Sequence, residues 1–225
     1  MTIHRVTLGA RVIEVRWCQV GSGSMPLGPL ERALFERGKT EKRRAEFFAG
    51  RVAAHEAVRA IGVAEPFEVL AQVGGEDVGR PVLQPPGGVA VSISHSSGQA
   101  VAIAARGEPL GVDLESASLS PDASFAREAF AEGELARWDI VPPALQPARL
   151  ALAWAAKEAV LKVWGVGLRA PLGLIGLRPG EFVASDAGWR FSIAVDGPCP
   201  VHEQRGWVGL VDGLLLVIAQ PAVKG

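Results

Sequence analysis

VAVSISHSSGQAVAIAA, residues 89–105, holds two strand-like runs with four polar or small residues between them. VAVSISH (89–95) and AVAIAA (100–105) are rich in the β-branched and apolar types that strands favour, and SSGQ is turn chemistry. Strands joined by so short a connection run antiparallel, because a parallel partner needs a crossover of a dozen or more residues. Upstream, RVIEVRWCQV (11–20) alternates as a strand and a Gly/Pro/Ser loop follows over 21–29. The segment 39–61 has helical spacing through Phe48, Val52 and Ala57, with Gly62 to end it, and a strand is predicted at 67–73. Pro81, Pro85 and Pro86 mark irregular chain. Downstream, LGVDLE (110–115) predicts a strand, and helices are expected at about 122–137 and 148–164. Strands close the chain at 173–178, 188–195, 205–211 and 214–220. Residues 1–108 and 109–225 thus each offer a helix and strands and end on an apolar strand, which predicts an α+β fold of helices on antiparallel sheets. The halves share no evident identity, so duplication is only suggested.

Composition narrows the function. A chain of 225 residues, 48% hydrophobic, has the material for a proper core. Lys and Arg total 23 against 24 Asp and Glu, so bulk attraction to nucleic acid or acidic membrane is not expected and any anion site must be local. Cys18 and Cys199 make neither a disulfide framework nor a zinc cluster. The N-terminal stretch lacks the apolar core of a signal peptide, and the longest apolar run, GLLLVIA at 213–219, is far short of the roughly 20 residues of a spanning helix. A cytoplasmic protein is expected.

The chemistry starts in WAAKEAVLKVWG, residues 154–165. At helical spacing Leu152, Ala153, Ala156, Val160, Val163 and Trp164 form one apolar face, while Trp154, Glu158 and Lys162 line up on the other side. Ala151, Ala155 and Leu161 share that second side, so its charges lie where water is scarce and need partners. Asp113 and Glu115 flank Leu114 and point to one face of their strand, where two carboxylates repel unless a cation or proton lies between them. Alone, such a pair is most often a solvated strand end. With Glu158 it would make the hard oxygen set that magnesium favours, and Lys162 could neutralise phosphate charge or handle a proton.

Lys39, Lys42, Arg43, Arg44 and Arg51 crowd one segment. Most of such a run is ordinarily a solvated face, but FFAGRVAA sets Arg51 among small and apolar residues. Arg80, between Gly79 and Pro81, could aim a guanidinium at phosphate from a stiff loop. Ser94 and His95 are strand neighbours facing opposite ways, so they are not a nucleophile and its base. No P-loop, dinucleotide fingerprint or G-x-S-x-G occurs. His4, His55 and His202 are read as structural or exposed.

GVDLE (111–115), WAAKEAVLK (154–162) and SISHS (92–96) resemble the motifs of the 4′-phosphopantetheinyl transferases. FFAGR (47–51) and GRP (79–81) match the longer, surfactin/enterobactin-type branch, and G-x-G-L follows the lysine at 165–168. The resemblance covers about residues 40–170. It implies two similar α+β halves related by a pseudo-twofold axis, with coenzyme A between them, in a protein acting as a monomer. It implies magnesium-dependent transfer of the phosphopantetheine arm to a serine of an apo acyl or peptidyl carrier protein, releasing adenosine 3′,5′-bisphosphate. By the same resemblance Asp113 and Glu158 are magnesium ligands with Glu115 as a third. Glu158 or Lys162 assists deprotonation of the carrier serine. Arg51, Arg80 and His95, with Ser94 beside them, hold the phosphates of coenzyme A together with Asp113 and Lys162. Arg80 stands where many relatives carry Lys, and Glu134 in AFAEGE resembles an acidic position near the metal. Carriers of siderophore or other nonribosomal peptide, polyketide or fatty-acid synthesis are all open, with WDIVPPALQP (138–147) a candidate contact. The rival readings are a magnesium phosphohydrolase or nuclease using water, and a binding module in which these acids are surface residues.

Overall fold

The computed structural model describes residues 3–72, 79–120, 122–185 and 187–222. The elements of the first half are β1 (Arg5–Leu8), β2 (Arg11–Gln19), α1 (Pro29–Glu36), α2 (Glu41–Ala60), β3 (Glu68–Ala71), β4 (Pro81–Gln84), β5 (Val89–Ser96) and β6 (Gln99–Arg106). The second half holds β7 (Gly111–Ser116), α3 (Ala123–Ala129), α4 (Arg149–Trp164), β8 (Gly176–Pro179), β9 (Val183–Ser185), β10 (Gly188–Asp196), β11 (Glu203–Val211) and β12 (Leu214–Pro221).

β5 and β6 form the expected antiparallel hairpin, and Ser97 and Gly98 turn it with φ of 51° and 77°. The sheet order is β1-β2-β6-β5 in the first half and β7-β12-β11-β10-β8 in the second, with β9 on β10; β3 and β4 pair alone. Alternation along the strands stacks the layers. Ala100, Ala102 and Ala104 of β6 face α2, whose Ala49, Ala53 and Ala57 are equally small, so helix and sheet approach closely. Val101, Ile103 and Ala105 face the other way, into a core shared with Val112 and Leu114 of β7 and Leu214, Leu216 and Ile218 of β12. The intervening Leu215, Val217 and Ala219 lie under α4. The molecule is therefore helix, sheet, sheet, helix, an α+β architecture.

Both long helices are where the spacing puts them. Thr40 caps α2 by accepting from the Arg43 amide at 3.2 Å, and Gly165, at φ 75°, ends α4 in the left-handed region. Elsewhere the structure differs from the sequence expectation. The helix expected over 122–137 stops at Ala129, and a 3-10 helix resumes at Leu135–Ile140. The break is made by Glu134, whose carboxylate takes the Ala131 amide at 2.8 Å in competition with helical bonding. A strand, β4, occupies residues expected to be irregular. Pro81 is its first residue and its sheet has two strands, so the missing N–H is tolerated. β1, α1 and β9 were not anticipated, and residue 73 of the strand expected at 67–73 lies outside the described residues. The strand expected at 173–178 starts as a 3-10 turn, Leu172–Leu174. In WDIVPPALQP, Trp138, Val141 and Leu145 belong to the core, and Ile140 is 56% exposed. Among the described residues no helix is long and apolar enough to cross a membrane.

Candidate active site

β5 and β7 are the sheet edges that meet, and serines on one face of β5 join them. The Val112 amide donates to Ser92 Oγ at 3.0 Å, Ser94 Oγ donates to Asp113 Oδ1 at 2.8 Å, and Ser96 Oγ donates to Glu115 Oε1 at 3.4 Å. Across this seam lies α4. Gly111 lets it approach, since a Cβ there would overlap the Ala159 carbonyl. From Ala151 to Trp164 every residue of α4 is buried except Glu158 and Lys162, which are half-buried.

The opposing charges that the sequence placed on that helix find their partners on β7. Lys162 Nζ donates to Asp113 Oδ1 at 2.7 Å, to the Val112 carbonyl at 2.9 Å and to Ser94 Oγ at 3.1 Å. It lies 3.7 Å from Glu158. Desolvation, then the charge of the hydrogen-bonded Asp113, push the Glu158 carboxyl up to about 7, against the pull of Lys162. Asp113 and Glu158 thus bring two carboxylates together beside Lys162, oxygen donors of the kind a hard divalent ion takes. Glu115 lies close enough to add to the repulsion on Glu158, but its Oε1 accepts from the Ser116 amide at 2.7 Å. Among the described residues no three His, Cys, Asp or Glu side chains stand grouped to hold a metal ion.

Lys162 also lines a cleft of about 1440 Å³ together with Arg51, Arg80 and His95. Lys39, Lys42 and Arg43 add further positive charge to its wall. Arg51 is buried, and its guanidinium sits 4.2 Å from the centre of the Phe47 ring. Burial pulls its pKa down to about 10 against the opposing effect of Glu31, so it stays charged at neutral pH. Arg80 donates to the Val163 carbonyl at 2.7 Å, reaching the last turn of α4 from the other half of the chain. His95 is exposed and stands on the opposite face of β5 from Ser94, as strand alternation requires. Ser94 is turned into the seam, bonded to Asp113 and Lys162.

Glu134 is the clear departure from expectation. It is fully buried, and its oxygens serve Lys157 Nζ at 2.7 Å and the amides of Ala131 and Leu177, so it is an internal counter-ion and no metal donor. Lys157, one residue before Glu158, went unread in the sequence. It also donates to the carbonyls of Ala129 and Leu172, and so anchors α4 to the segments beside it. A lysine surrounded by alanines on an apolar helix was the available signal. Its partner, 23 residues away, left none.

Two family models match the chain. One, the 4′-phosphopantetheinyl transferase N-terminal domain, covers residues 30–105, and the other, the 4′-phosphopantetheinyl transferase superfamily, covers residues 109–191. No individual curated protein matches it. The first match carries the arginines of the cleft and the β5–β6 hairpin, and the second carries β7 and α4. Together the two matches span most of the chain, and the second holds Asp113, Glu158 and Lys162, so the chain belongs to the 4′-phosphopantetheinyl transferases.

Proposed function

We propose that this enzyme moves the phosphopantetheine arm of coenzyme A to a serine of an apo acyl or peptidyl carrier protein in a magnesium-dependent reaction, as a member of the surfactin/enterobactin-type branch. The observation that carries the reading is Lys162, which lines the cation-rich cleft and at the same time bonds Asp113 beside Glu158. In this reading the halves 1–108 and 109–225 are the two walls of the cleft. Arg51, Arg80 and His95 hold the phosphates of the donor through charge and hydrogen bonds.

The serine oxygen forms a bond to the pantetheine-side phosphorus. The bond from that phosphorus to the bridging oxygen breaks, and its electron pair leaves with adenosine 3′,5′-bisphosphate. Serine is a poor nucleophile at neutral pH and needs a base. Glu158 would take the serine proton from its place beside Lys162, which keeps positive charge beside the leaving group. Ser94 fixes the Asp113 carboxylate. Magnesium, held by Asp113 and Glu158 with Glu115 as a third oxygen donor, would supply Lewis-acid charge against the pyrophosphate.

Intact-mass analysis of an apo carrier incubated with coenzyme A and magnesium tests this. One added phosphopantetheine per carrier supports transfer. Coenzyme A cleaved while the carrier stays unmodified would establish a phosphohydrolase instead. Repeating the assay with carriers of nonribosomal peptide, polyketide and fatty-acid synthesis identifies the partner.

A further inference from the structure

Behind Arg51 lies a buried network that the transfer chemistry does not use. Glu31, on α1, is fully buried, and its Oε1 accepts from the Val69 amide at 2.9 Å and lies 2.9 Å from His55 Nε2. The other ring nitrogen, His55 Nδ1, lies 3.2 Å from Glu65 Oε1, which Arg59 also holds at 2.7 Å. His55 is buried and stacked on Phe67 with centroids 4.6 Å apart. With a carboxylate at each nitrogen, the ring satisfies both only as a double donor, the imidazolium. Burial opposes that charge, but Glu31 and Glu65 outweigh it and raise the His55 pKa.

Arg51 stands at the edge of this network. Its Nε is 3.9 Å from Glu31 Oε1, too far for a hydrogen bond, and finds no acceptor among the described residues. A fully buried carboxylate so near a guanidinium would ordinarily draw it into a close, charge-assisted bond. Here Glu31 is already taken by His55.

We propose that His55 is a positioning residue for the donor: by engaging Glu31 it keeps the Arg51 guanidinium in the cleft, available to a donor phosphate. The inference rests on the reading of the cleft as the coenzyme A site. Replacing His55 by Leu leaves Glu31 without its side-chain donor, and Arg51 becomes the nearest cation to collapse onto it.

The test is titration of coenzyme A into the full chain by calorimetry, alongside steady-state transfer kinetics. His55→Leu should weaken coenzyme A binding roughly tenfold while kcat at saturating donor stays within about twofold. Adding Glu31→Gln to that variant removes the carboxylate that captures Arg51 and should restore most of the affinity, whereas a merely structural His55 predicts a further loss. His55→Gln, which keeps a donor for Glu31, should likewise rescue binding, and it serves alone if His55→Leu does not fold. Unchanged affinity in a folded His55→Leu variant, a double variant that binds no better, or a tenfold loss in His55→Gln would each overturn the proposal. Failure of the underlying reading is separable: there, Arg51→Ala in the otherwise native chain would leave coenzyme A affinity unchanged.

Discussion

Two neighbouring residues of α4 carry opposite consequences. Lys157 and Glu134 are both fully buried and paired, so Lys157→Met strands an uncompensated carboxylate and should destabilise the fold by about 3–5 kcal/mol in urea unfolding. Glu158→Gln should do the reverse to the metal-free protein. The Glu158 pKa is raised from 4.5 to about 7, so between those values the folded state binds more protons than the unfolded one. Stability therefore falls as pH rises from 4.5 to 7 and is flat above, a loss on the order of 3 kcal/mol at most. Glutamine removes that loss, so at pH 8 with chelator the variant should melt higher than wild type, while transfer falls by roughly 10²-fold or more. Equal melting curves at pH 5 and pH 8 for the wild type would contradict the account. Glu158 could be singled out in the sequence, because a carboxylate on an apolar stripe needs a partner. Lys157 gave the same signal, but its partner Glu134 did not, because the sequence does not say which buried charge meets which.

At the scale of elements, the site depends on how closely α4 lies on β7. Gly111 sits at that contact with backbone on both sides, so Gly111→Ala must push the helix away from the strand that carries Asp113. The expected result is a destabilisation of about 1–3 kcal/mol with transfer activity reduced roughly 10²-fold, read by thermal melts and kinetics on the same preparation. Wild-type activity in a folded Gly111→Ala protein would show that the close approach is dispensable. The long elements were legible: α2 and α4 from 3.6-residue spacing, β5 and β6 from strand composition around a turn. α3 was read too long because helical composition continues through Glu134, whereas the Glu134 side chain, bonded to Ala131, Leu177 and Lys157, holds the chain out of the helix.

For the whole molecule, charge is nearly balanced, with 23 basic against 24 acidic residues, yet Lys39, Lys42, Arg43, Arg51 and Arg80 converge on one cleft. Attraction of an anionic donor is then a local field, screened over about 10 Å at 0.1 M salt. The KM for coenzyme A should rise several-fold between about 50 and 500 mM sodium chloride, and a flat dependence would mean that these charges do not meet the donor. Sequence alone determined the α+β class, the paired acids on a strand, the isolated acid and lysine on an apolar helix, and the family they resemble. The class and the placement of these side chains follow from periodicity and residue chemistry, which are local, and the resemblance rests on short motifs in order. That Lys162 bonds Asp113 beside Glu158, that serines of β5 join the two halves, and that Glu134 belongs to Lys157 were decided only by tertiary structure. Those contacts link residues such as 19, 23 and 49 positions apart, and which of them form is set by the packing of helices on sheets.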